Sequence, residues 1–451
     1  MNKAKMFLSL GLVLALVFVA ACSGGSKPEA TPPQAAESTT EPESVPAGEE
    51  TPAFDLGGDK IKMAMWWDGA PAAGTELGDR NVAKHDEVKK KFNADIEYIT
   101  IPWGELEERL TSTVMAGEPF ADMVRLDLKW IPGLAAGGYL TPLDDFTDVG
   151  KESLLPESVK QVGKFNGLQY GFVDSFNPSS GLVYNKRMFA EAGLPDPYEL
   201  QERDEWTWEA LLNAAKALTK DTNGDGKIDQ YGLSFDQAVL AEHLILSNNG
   251  RIVDPENGKI AFDSAESMEA LQFMNDLYNV HKVVKANEGN NWLDPKNFFT
   301  QGHVAMTQAG VWEGEERMKT MTDDWGYVFF PKGPKAADFV VPVTIADMYF
   351  IPKGAPHAKE SFEMWKELVL WDTQEESYQD FLEANLPDES SINTAKRMMD
   401  KGVFEGWRGY RFEGEFIDAV VNITSGKEPP ATAVERIKQV AQNKMNEILK
   451  K

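Results

Sequence analysis

Residues 61 to 101 hold the pattern that most restricts the fold. Ile61 to Trp67 is a β-rich run in which Ile61, Met63 and Met65 alternate with Lys62, Ala64 and Trp66. Asp79 to Phe92 is charged, with Val88 and Phe92 four residues apart as on one face of a helix. Asp95 to Ile101, DIEYITI, is again β-rich. A strand, a helix and a strand at this spacing predict a βαβ unit, and hence a parallel sheet in an α/β fold. Trp103–Met115 continues as a helix, and Asp122–Leu126 as a short strand. Further helices are expected at Trp208–Leu218, Ala265–Tyr278, Ala358–Trp371 and Thr432–Leu449. The last carries an apolar stripe of Val434, Ile437, Ala441, Met445 and Ile448. A chain of 451 residues exceeds a single ordinary core, which points to two or three domains or to two lobes.

In an open α/β sheet, ligands bind beyond the carboxyl ends of the strands. Trp66, Trp67 and Asp68 follow the first strand, and Asp127 and Trp130 follow the third. Indole faces stack on the C–H-rich faces of sugar rings, and carboxylates accept hydrogen bonds from hydroxyls. These five residues are therefore candidate carbohydrate contacts. The net charge of -27 argues against partners built on phosphate, so nucleic acid is not expected. No phosphate-binding GxxxxGK[ST] loop, HExxH pair or GxSxG elbow occurs, and the five histidines show no metal-ligand spacing. A glycosidase needs two carboxylates at a set separation, but 72 acidic residues make candidate pairs too common to carry weight.

The amino terminus reads as an address and a spacer. Lys3 and Lys5 precede an uncharged run from Met6 to Ala21, too short for an ordinary membrane span. Val19-Ala20-Ala21-Cys22 resembles a bacterial lipobox. The resemblance implies a signal peptide over 1–21, cleavage before Cys22, and acylation of that residue, the only cysteine in the chain. Two acyl signals suffice for stable attachment to the outer face of the cell membrane. The segment to residue 58 is rich in Pro, Ser, Thr, Glu and Ala and is read as a disordered tether.

Asp221-Thr222-Asn223-Gly224-Asp225-Gly226-Lys227-Ile228-Asp229 matches the start of an EF-hand calcium loop. Asp221, Asn223, Asp225 and Asp229 offer side-chain oxygens, Lys227 its carbonyl, and Gly226 the turn. The match ends at position 12, where Gly232 replaces the bidentate glutamate. A structural calcium ion is the expectation, with a metal-free Asx-turn loop as the alternative.

Several ordered motifs carry a resemblance over nearly the whole chain after the tether. They are Phe165-Asn166-Gly167, Tyr184-Asn185-Lys186 with Gly193-Leu194-Pro195, Trp206-Thr207-Trp208-Glu209, Gly302 to Met306 with Gly310-Val311-Trp312, and Ile351 to Gly354. The set resembles the bacterial extracellular solute-binding proteins of family 1, the maltose-binding-protein-like lipoproteins that serve ABC importers. The resemblance implies a two-lobed periplasmic-binding-protein-like fold (type II), with a ligand cleft and hinge crossovers between lobes. On this reading one lobe takes 59–178 plus 335–387 and the other 179–334 plus 388–451. It implies a monomeric, non-enzymatic protein that captures a sugar, most naturally an oligosaccharide, and delivers it to permease subunits. A surface glycoside hydrolase and a binder of another ligand, such as a peptide, are the alternatives. The resemblance also makes Trp312 a stacking residue and puts Trp407 and Tyr410 where the family often has another cleft aromatic. Trp206, Trp208, Trp365 and Trp371 are expected to pack in the core.

Overall fold

The computed structural model describes residues 54–153, 160, 162–175, 177–255, 257–343 and 346–450, which lie in one unit of the chain, Pro52–Lys451. The signal segment, Cys22 and most of the tether fall outside the described residues.

The expected βαβ unit is present. Strand β1 (Lys60–Met65) pairs in parallel with β2 (Asp95–Thr100), with Lys60 opposite Asp95 and Met65 opposite Thr100. The helix between them spans Glu76–Phe92 and buries Val88 and Phe92. It starts earlier than the apolar pattern suggests because Thr75 caps it, accepting from the Gly78 N–H. It stops at Asn93, whose φ of 46° suits the left-handed cap. Acidic Glu76 and Asp79 near its start and Lys89 to Lys91 at its end both complement the helix dipole.

Strand β3 (Met123–Asp127) joins β1 in parallel. The sheet is completed by β4 (Gly171–Phe172) and, from much later in the chain, β9 (Asp347–Phe350), giving the order β2-β1-β3-β9-β4. β9 runs antiparallel to both of its neighbours. A second sheet contains β5 (Ser180–Asn185), β6 (Tyr231–Leu233), β7 (Val304–Gly310) and β8 (Trp325–Val328), in the order β8-β5-β7-β6. All seven residues of β7 are buried, so no alternation marks it in the sequence.

The chain passes from the first sheet to the second between β4 and β5 and returns between β8 and β9. The helix Ala358–Leu368 then packs on Glu76–Phe92, and the next helix, Gln374–Asn385, packs on Gly314–Thr320 beside the second sheet. That last contact is intimate: a Cβ on Gly314 would lie 1.6 Å from the Asn385 carbonyl oxygen. The sequence reading keeps residues 374–387 with the first lobe, whereas this helix packs on the second. The crossing here falls near Trp371–Thr373, where local pattern gives no sign of which body a helix will cover.

Cores form around both sheets. Trp206 donates from its indole N–H to the Phe329 carbonyl at 2.9 Å, and Trp208 stacks on Phe273 with centroids 4.6 Å apart. Trp365 is buried among Phe172, Phe362 and Trp371. The C-terminal helix, Pro430–Leu449, buries Val434, Ile437, Ala441 and Met445 along one stripe.

Candidate ligand-binding cleft

The places where the chain crosses between the sheets border a cleft of about 610 Å³. Arg125 of β3 and Asp347 of β9 form one wall, Ser180 of β5 and Trp312 after β7 another, and Tyr378 and Phe381 of the helix Gln374–Asn385 a third. This volume lies within the usual range for a small-molecule site.

The first wall is built by strand ends. Because β9 runs antiparallel to β3, its first residue meets the carboxyl end of β3, and Asp347 stands opposite Asp127. Arg125 lies one alternation earlier on β3. Its guanidinium carbon sits 5.1 Å from the Trp67 ring centroid and 4.9 Å from that of Tyr349. Its Nη1 donates to the Tyr349 hydroxyl at 3.3 Å and lies 3.8 Å from an Asp174 oxygen. Its buried Nε has no partner, and neither does the buried Oδ1 of Asp347. Two such groups beside a cleft are a donor and an acceptor removed from water and left without a partner within the fold. Burial pushes the Asp347 carboxyl up to about 6, partly countered by the positive charge of Arg125.

The sequence-predicted residues divide here. Trp312 is 46% exposed and lines the cleft. Its ring occupies the space above Gly310, where a Cβ would come within 2.3 Å of the indole, so the glycine permits that ring position. Trp67 is exposed and Trp66 half-buried, packed edge to face at 4.5 Å, and Trp103 meets Trp66 the same way at 4.5 Å. Trp130 is half-buried, with the Lys129 ammonium 5.0 Å from its ring. Asp68 is exposed and accepts from the Ala70 N–H at 3.1 Å.

Asp127 is only 1% exposed. Its Oδ1 accepts from the Lys129 N–H at 2.9 Å, capping the turn after β3, and burial pushes its carboxyl up to about 6. It shapes the strand end and does not present an open carboxylate. Trp407 and Tyr410 are a correction: they are 1% and 2% exposed. Trp407 packs on Phe412 and Phe416 with centroids 5.8 and 4.9 Å away, and Arg408 covers its face at 4.4 Å. Arg408 is itself held by Glu242 at 2.7 Å and Glu413 at 3.0 Å. Burial in this cluster leaves neither ring a face for a ligand, so positional likeness alone misassigned them.

Sequence reasoning missed Arg125, Asp347, Tyr349 and Tyr378. Arg125 lies mid-strand, and β9 is a four-residue strand without a period-2 signature, so the strand-end rule had no strand to act on. Trp292 was also missed. It is an exposed indole with the Lys296 ammonium 3.4 Å from its ring, and that ammonium is paired to Glu313 at 2.9 Å, next to Trp312.

The Asp221–Asp229 loop adopts a tight turn with φ of 78° at Gly224 and 87° at Gly226. Asp221 accepts from the N–H groups of Gly224 at 2.6 Å and Gly226 at 2.7 Å, which hold its carboxyl below the ordinary range. Asp229 accepts from Thr222 at 2.9 Å. Among the described residues no group of three or more Asp, Glu, His or Cys side chains converges as a metal centre would require. The loop's Asp221 and Asp229 carboxylates are instead engaged by its own backbone N–H groups.

Two α/β bodies with the chain crossing between them beside a polar and aromatic cleft define a two-lobed binding protein. The chain belongs to the bacterial extracellular solute-binding proteins, whose family matches residues 75–370. It is similar to the arabinooligosaccharide-binding protein of Halalkalibacterium halodurans, 22% identical over 227 residues, covering 50% of this chain and 48% of that protein. The protein of the same description in Bacillus subtilis is 24% identical over 233 residues, covering 51% and 50%. The chain thus spans about half the length of the curated relatives it matches. Among solved structures, the cyclic α-maltosyl-1,6-maltose binding protein from Arthrobacter globiformis superimposes with a TM-score of 0.65 at 16% identity, covering 87% of this chain and 100% of that one. An ABC substrate-binding protein from Listeria monocytogenes in complex with cycloalternan gives 0.63 at 18% identity, covering 87% and 99%. At these identities the structures establish the fold, the two-lobed type II arrangement. Among the described residues no helix is long and apolar enough to cross a membrane.

Proposed function

We propose that this protein captures a neutral sugar, most naturally an oligosaccharide, in the cleft and delivers it uncleaved to the permease of an ABC importer. One observation carries the reading: a half-exposed indole, Trp312, shares a cleft with a buried, unpartnered Arg125 Nε and Asp347 Oδ1. An aromatic face with one donor and one acceptor already out of water suits a ring that is apolar on its face and hydroxylated at its edge. The names of the curated relatives and the sugars bound in the similar structures support the same ligand class. The negative excess of Asp174 and Asp347 over Arg125 disfavours uronates. Closure of the lobes about the crossings would shield these contacts and create the shape a permease reads.

The lipid anchor at Cys22 would hold a monomer on the outer face of the membrane, with the segment to residue 58 as its tether. Calcium in the Asp221–Asp229 loop would draw the carboxylates inward and brace the connection after the helix Trp208–Leu218.

Thermal-shift titration with arabinotriose, maltotriose and a wider glycan panel, followed by mass analysis of the sugars, tests the reading. A shift with intact sugar is expected. Turnover would favour the glycosidase alternative, and a response to peptides alone would replace the ligand class.

A further inference from the structure

Ser180 opens β5 at the edge of the cleft and stands opposite Gly310, the residue covered by the Trp312 indole. Behind it lies His243, fully buried in the helix Gln237–Ser247. Nδ1 of His243 is 2.8 Å from the Val239 carbonyl oxygen, and Nε2 is 2.9 Å from the Ser180 Oγ. A carbonyl can only accept, so Nδ1 carries a proton. A neutral imidazole carries only one, which leaves Nε2 as an acceptor. Neutrality follows from the site: the ring is sealed from water, Phe330 packs against it at 5.1 Å, and the nearby Arg408 repels a second positive charge. The Ser180 hydroxyl therefore donates its single O–H in a hydrogen bond to Nε2.

We propose that His243 is a positioning residue that fixes the Ser180 Oγ as a hydrogen-bond acceptor beside the Trp312 ring, where it accepts a hydrogen bond from a ligand hydroxyl. The inference rests on the sugar-binding reading and deepens it. A serine free to rotate could donate or accept and would tolerate either polarity, whereas a serine whose proton is committed demands a donor. The ring bound at Trp312 must then present a free hydroxyl toward β5. A sugar with a glycosidic bond or an ether at that position would lose the contact and leave an oxygen lone pair unmatched.

Full-length protein labelled with 15N-histidine tests the first half without any ligand. Near neutral pH the expected spectrum of His243 has a protonated Nδ1 and an unprotonated, hydrogen-bonded Nε2. The signal is assigned by its loss in His243→Gln or, should that variant not fold, by substituting His85, His281, His303 and His357 in turn. A protonated Nε2 overturns the proposal whether or not a sugar binds. The second half uses arabinotriose and maltotriose with their monodeoxyfluoro analogues, since fluorine cannot donate. At one ring position the fluorine is expected to cost wild-type protein about tenfold in affinity, and Ser180→Ala much less. Equal losses in both proteins at every position overturn the proposal. If neither parent sugar binds wild-type protein, the sugar reading fails and takes the ligand half with it, and the tautomer is judged on its own spectrum.

Discussion

Asp127 and Asp347 stand directly opposite one another across the antiparallel pair β3–β9, at the edge where those strands meet the cleft. Each is pushed up to about 6 from an ordinary 3.8, mainly by burial; the Asp347 charge adds to the rise at Asp127, while Arg125 counters and Asp174 adds to the rise at Asp347. The folded protein therefore holds protons that the unfolded chain releases between roughly pH 4 and 6. Stability falls as pH rises through that window, and the penalty is complete above it. Asp127→Asn keeps an oxygen for the Lys129 N–H and removes the charge. It is expected to stabilise the protein by about 1–3 kcal/mol at pH 7.5 and to change little at pH 4, as read from melts at both values. Equal effects at the two pH values would contradict buried charge as the cause.

Trp312 and Trp407 are expected to separate cleanly. Trp312→Ala removes an exposed ring, so sugar affinity drops about tenfold or more while the melting temperature of the free protein moves by only about 1–2 °C. Trp407→Ala opens a cavity beside Phe412 and Phe416 and destabilises by about 3–5 kcal/mol. Calorimetry of both variants, with and without maltotriose, checks the pair. A strong loss of stability in the free Trp312 variant would make that residue part of the core.

Arg125→Lys keeps a positive charge but loses the planar fork between Trp67 and Tyr349 and the unpartnered Nε. Sugar affinity is expected to fall about tenfold or more, nearly as far as in Arg125→Ala, because Lys cannot reproduce that donor geometry. Titration calorimetry with the same sugars measures it. Full retention of affinity in the Lys variant would reduce Arg125 to a point charge.

If the Asp221–Asp229 loop holds calcium, a chelator is expected to lower the melting temperature, and elemental analysis to find about one calcium per chain. Asp221→Ala should abolish the chelator effect. An unchanged melt together with no bound metal would leave the loop as an Asx-turn connection.

Cys22→Ser is expected to abolish palmitate incorporation and to move the protein from the membrane fraction into the medium or periplasm. Labelled palmitate in the variant would remove Cys22 as the attachment point.

The fold was largely legible because its first unit is written in short-range pattern. Alternation at Ile61, Met63 and Met65 and helical spacing at Val88 and Phe92 need only neighbours to be read, and the structure places them in β1 and the following helix. The cleft was legible in part: Trp312 follows β7 and lines it, whereas Trp66 and Trp67 follow β1 without being among the residues that line it. Arg125 and Asp347 escaped because the residues that make them a site lie 222 positions apart in sequence and meet only through the β3–β9 pairing. Trp407 and Tyr410 were misread for the converse reason: an aromatic in a suggestive place looks the same in sequence whether its face is open or covered by Arg408.

By itself the sequence determined the βαβ start and the two-lobed class, because periodicity and ordered motifs are local properties of a chain. It also supplied the expectation of a lipid anchor, which rests on four residues ending at Cys22. Only the tertiary structure decided which polar groups lose water beside the cleft, which indoles keep a free face, and where the Ser180 proton goes. Those properties depend on desolvation and on contacts between distant segments: a β9 strand laid against β3, a helix over Ser180, and a helix at Gln374–Asn385 folded onto Gly314. Burial and orientation of this kind arise only when the two sheets are assembled, so the site's chemistry belongs to the fold even though every residue in it is present in the chain.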